Sequence, residues 1–159
     1  MADFFCSNIS HEAGEQLFGT APRIDVWFLL EYAGRWEPEA LDSALPDPVK
    51  QTLSAQIEAA APARFGLIRR GNEPSLAPGL AFYIALIREG RPALYAFRLD
   101  DMHDLLDLDL AAIRAEDPAY ASARTLDPMI LVCTHGRRDR CCARGGLPVY
   151  DRLSREAGI

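Results

Sequence analysis

Three of the four cysteines, Cys133, Cys141 and Cys142, fall within ten residues of one another, and His135 lies between the first and second. Thiolates ligate zinc and iron–sulfur clusters, and imidazole joins them in many metal sites. The same stretch carries Arg137, Arg138, Arg140 and Arg144. Positive charge beside a thiol favours the thiolate, the form that binds metals and attacks disulfides. No basic signal region precedes these cysteines, so reduced thiols are expected, and clustering of this kind points to metal or redox chemistry rather than a disulfide scaffold.

The elements that must position these residues read as a mixed α/β protein. Ile24–Tyr32 is a nearly all-apolar strand, expected to be central and covered on both faces. A short helix is expected over 37–45 and a firmer one over Asp47–Ala60, with Pro48 in its first turn and Val49, Leu53 and Ile57 on one face. Three strands follow, at Arg64–Arg69, Leu80–Arg88 and Ala93–Leu99, the last two joined by the turn Glu89-Gly90-Arg91-Pro92. A hairpin that short excludes a purely parallel sheet. Residues 100–116 read as one helix with an acidic start (Asp100, Asp101, Asp104), followed by a loop to Pro128. Met129–Val132 reads as a short buried strand delivering Cys133 to its carboxyl end, where α/β proteins place their sites. A final helix is expected to begin at Pro148.

The run C-T-H-G-R-R-D-R-C-C-A-R-G-G-L-P, from Cys133 to Pro148, resembles the signature of the sucrase/ferredoxin-like family. These are thioredoxin-like [2Fe–2S] ferredoxins related to a eukaryotic actin-patch-associated protein. A second resemblance lies near the start: C-S at 6–7, E-Q-L-F-G-T-A at 15–21, W-F-L-L-E at 27–31 and G-R-W-x-x-x-A-L at 34–41 follow the family's opening in order. The resemblance implies a thioredoxin-like fold and a cluster held in part by the two cysteines of C-x-H-x-x-R-D-x-x-C, which match Cys133 and Cys142. Cys141 takes second place, because relatives need no thiol there. The family's other two ligands, cysteine or histidine, come from a later segment that these 159 residues do not contain.

The expectation is therefore an N-terminal portion of a longer member. It comprises an α/β domain over 1–125, itself open to a thioredoxin-like arrangement, and the start of a thioredoxin-like ferredoxin domain over 126–159. An incomplete domain exposes apolar surface, so self-association as a homodimer is expected. His135 is expected to orient the loop or a ligand, with direct ligation the lesser reading. Arg138 and Asp139 match the family's R-D pair. They read equally as a loop-fixing ion pair and as groups that tune a cluster's potential. Cys6 is a second-tier thiol, and Trp27 and Trp36 read as core residues.

The function expected is electron transfer: a redox carrier with a [2Fe–2S] cluster and a redox partner protein, not a catalyst with its own substrate. Two alternatives use the same residues. One is a structural zinc site from Cys133, His135, Cys141 and Cys142, strained by the adjacency of the last two. The other is a thiol–disulfide oxidoreductase, which lacks a C-x-x-C pair. Net charge is −6, with 11 Lys and Arg against 20 acids in 1–128 and six Arg against three acids in 129–159. Overall acidity speaks against nucleic acid as a partner. No apolar run approaches the ~20 residues of a membrane span, so a cytoplasmic protein is expected. Paired catalytic carboxylates, a phosphate loop and a nucleophile elbow are all missing from the sequence, which excludes the hydrolase chemistry in the family's name.

Overall fold

Five consecutive apolar residues, Val26 to Leu30, are too hydrophobic for a sheet edge, and they form an interior strand. The computed structural model describes residues 6–16, 20–69, 79–138 and 140–157. Contacts divide the chain into two units, residues 23–128 and residues 1–22 with 129–159.

In the first unit, β1 (Val26–Glu31) pairs in parallel with β2 (Ala63–Ile68) and antiparallel with β3 (Leu80–Leu86). β4 (Ala93–Leu99) and β5 (Arg124–Thr125) extend the sheet antiparallel, in the order β2-β1-β3-β4-β5. The protein is thus mixed α/β, with a five-stranded mixed sheet. Residues opposite one another on neighbouring strands share a face. Phe65, Phe28, Ile84 and Tyr95 therefore form one row across four strands.

The parallel β1–β2 pair requires a crossover, and α2 (Asp47–Ala59) supplies it. Pro48 sits in its first turn, where a missing N–H costs nothing. Val49 and Leu53 are fully buried and Ile57 packs beside them against the strand row. Burial of each of the first two is worth roughly 1.5–3 kcal/mol. Cover on the opposite face of β1 is uneven: Leu29 is buried, whereas Trp27 is half-buried. The β3–β4 turn forms as its residues suggest, with Gly90 at φ 69°. The helix expected over 37–45 is a single 3₁₀ turn, Ala40–Asp42.

Four sequence expectations need correction or addition. The helix expected over 100–116 is two pieces, a 3₁₀ segment Met102–Asp107 and α3 (Leu110–Arg114). Aspartates break it: Asp101 and Asp104 form a capping box, and Asp109 caps anew, accepting from the N–H groups of Ala111 and Ala112. The expected loop to Pro128 contains a 3₁₀ segment, Pro118–Ala123, and the short strand β5. Met129–Val132 is neither strand nor buried; Ile130 is 73% exposed and Leu131 53%. A short apolar run becomes a strand only when it finds a pairing edge. The last helix, α4 (Arg140–Ala157), is already helical at Arg140 and carries Pro148 in its interior. Proline's fixed φ suits a helix, but in the interior it removes the bond to the Arg144 carbonyl and its ring crowds that same carbonyl.

The second unit holds α4 and the loop before it, together with α1 (Cys6–Glu12). Between β2 and β3, where two glycines and two prolines in 71–79 call for an exposed loop, residues 70–78 lie outside the described residues, as do residues 17–19.

Candidate functional site

Cys141 and Cys142 stand at the amino end of α4, and the chain from Cys133 to Gly136 leads into it. Two close approaches fix how this loop lies on the helix. A Cβ added to Gly146 would overlap the carbonyl oxygen of Cys133, and would lie 3.0 Å from its carbon and 3.5 Å from the Thr134 Cα. A Cβ added to Gly136 would stand 2.6 Å from that of Ala143. Real Cβ atoms do not come so near, so both glycines are required by the packing.

Residues four apart on a helix share a face. Cys142 and Gly146 are so related, which puts the Cys133 main chain on the face of α4 that bears Cys142. Cys141 shares its face with Gly145, where an added Cβ would meet nothing within 4 Å. The loop therefore lies on the side of α4 that bears Gly146, whereas Gly145 beside it faces open space.

All three residues are thiols in the structure, Cys133 exposed and the other two half-buried. His135 is half-buried, with its Nε2 atom away from solvent. His135, Arg138, Cys141 and Cys142 are each engaged by a neighbouring group. Arg137, Arg138, Arg140 and Arg144 are exposed around the thiols. Asp139, the acid of the R-D pair, and the side chain of Cys6 lie outside the described residues.

Among the described residues, no group of three or more His, Cys, Asp or Glu side chains is placed to hold a metal ion. A [2Fe–2S] cluster takes four protein ligands, and so does a structural zinc. The described residues do not assemble such a set.

Away from the thiols, several charged groups in the sheet unit are committed to structure. Glu116 meets Arg88, with Arg91 at 4.0 Å and Arg124 at 3.8 Å. Glu31 accepts from the Ala81 N–H at 2.9 Å and faces Arg98 at 3.7 Å. At the carboxyl end of β1 and β2, Arg69 donates to the carbonyls of Ala33 and Gly34 at 3.1 Å and lies 5.4 Å over the Trp36 ring. Trp36 in turn donates to the Tyr32 carbonyl at 3.0 Å. Asp101 accepts from the His103 backbone N–H and then from its ring, which holds its carboxyl below the usual aspartate range.

Sequence reasoning picked out the thiols but missed Gly136 and Gly146, on which the loop depends. The Gly145-Gly146 doublet inside a helix was the available signal, since glycine there is unfavourable without a packing reason. No protein-family model matches the chain, and neither a curated protein nor a solved structure does. Among the described residues, no helix is long and apolar enough to cross a membrane.

Proposed function

We propose that this protein is an electron-transfer protein of the sucrase/ferredoxin-like type, with Cys133 and Cys142 as two ligands of a [2Fe–2S] cluster. The remaining ligands come from outside the described residues. When bound, the cluster moves one electron to or from a redox partner protein. One observation carries the reading: the Cys133 loop is seated on α4 at Gly146, one turn from Cys142 on the same face.

In this reading, the loop residues hold and tune. His135, half-buried between the two thiols in sequence, fixes the loop, and the exposed arginines offset the negative charge of thiolates. The parallel β1–α2–β2 unit joined to an antiparallel hairpin accommodates the thioredoxin-like part of the proposal.

Anaerobic purification with iron, labile sulfide and zinc quantified tests it. Iron and sulfide in equal amounts, lost in Cys133→Ser and in Cys142→Ser but kept in Cys141→Ser, is the expected result. The measurement belongs on the chain alone and on any longer reading frame that contains it. Zinc without sulfide in both would overturn the ferredoxin reading in favour of a structural zinc site.

A further inference from the structure

We infer that Gly146 is a positioning residue: its missing side chain is the seat that holds Cys133 over the Cys142 face of α4. The inference rests on the proposed ligand pair for its functional meaning, but its geometry stands without it.

Glycine is a poor choice in the middle of a helix, and alanine at the same place is the better helix former. α4 nevertheless carries two glycines in succession, and their surroundings differ completely. Gly145 faces open space, so a methyl group there meets nothing within 4 Å. At Gly146 the methyl would overlap the Cys133 carbonyl oxygen and stand 3.0 Å from its carbon. The obstructing atoms are main chain, so no rotamer change relieves the overlap. Either the loop lifts or the helix shifts, and both move Cys133 relative to Cys142. Gly136 on Ala143 is a second anchor on the same side of the helix, since Ala143 and Gly146 are three apart. A loop anchored at both of these places has its thiol set by the helix and not by its own backbone preferences. This explains how an exposed, irregular segment gives Cys133 a defined place.

The test compares Gly146→Ala with Gly145→Ala in the full chain. Both changes raise intrinsic helicity equally, so any difference reports the seat. Backbone amide hydrogen exchange over 133–136 is expected to quicken at least tenfold in Gly146→Ala and to stay within twofold of the parent in Gly145→Ala. Trp27 and Trp36 both lie in the sheet unit, so unchanged tryptophan fluorescence shows that this unit is intact in each variant. Iron and sulfide per chain are then expected to fall at least fivefold in Gly146→Ala alone. Equal exchange in the two variants would overturn the inference. A selective rise in exchange, with no iron in the parent chain or in any longer reading frame that contains it, would instead keep the seat and overturn the ferredoxin reading.

Discussion

The sheet unit and the thiol-bearing segment are held by different means. Every buried hydrophobic side chain among the described residues lies between Val26 and Ile113, and all but Leu29 and Ala81 gather in one core cluster with α2 and α3. From residue 126 onward no described apolar side chain is fully buried, and Leu126, Ile130, Leu131, Leu147, Val149 and Leu153 are exposed. There the defining contacts are main chain on glycine and methyl on glycine, not core burial. The lesson is that residues suited to chemistry occupy the part of the chain with the least hydrophobic anchoring. Segments of that kind open locally at low cost.

The largest effect that would break this contrast is in the core. Phe82 is fully buried, so Phe82→Ala is expected to cost about 3–5 kcal/mol. Leu147, 49% exposed on α4, is expected to change stability by no more than about 0.5 kcal/mol when truncated to alanine. Urea denaturation followed by tryptophan fluorescence measures both. Comparable losses would mean that α4 belongs to the same cooperative core, and the contrast would fall.

Asp109→Ala comes next, and it sharpens the account of the broken helix. Losing the cap on Ala111 and Ala112 is expected to cost about 1 kcal/mol. A neutral result would show that Leu110 and Ile113 are held by burial alone.

Asp101→Asn has the smallest effect, and it depends on pH. The folded carboxyl titrates below its ordinary value because the His103 N–H donates to it. Its stabilising contribution is therefore present above the unfolded-state value near 3.8 and disappears as pH falls through the lower folded-state one. Parent and variant should differ slightly at neutral pH and converge in acid, as read from thermal midpoints between about pH 2 and 7. Divergence in acid would contradict the assigned cause.

How much of this was legible in the sequence varied along the chain. α2 was readable because Pro48 fixes its start and Val49, Leu53 and Ile57 share a face. The β3–β4 hairpin was readable because alternating strands flank a glycine turn. The helix over 100–116 was misread because helix dipole and helix cap both call for aspartate, and only side-chain geometry separates them. Met129–Val132 has strand composition, but pairing is decided by partners far away in sequence. At the candidate site, residue type marked the thiols clearly. The seat at Gly146 was hidden, because a glycine's neighbours are set by tertiary structure.

The division of the chain also has a consequence for biosynthesis. Residues 1–22 belong with 129–159, and the whole of 23–128 intervenes. A ribosome releases the sheet unit complete while half of the other unit is still unmade, and domains generally fold as units as they emerge. The thiol-bearing segment thus matures after the sheet unit, on a molecule whose sheet has already formed.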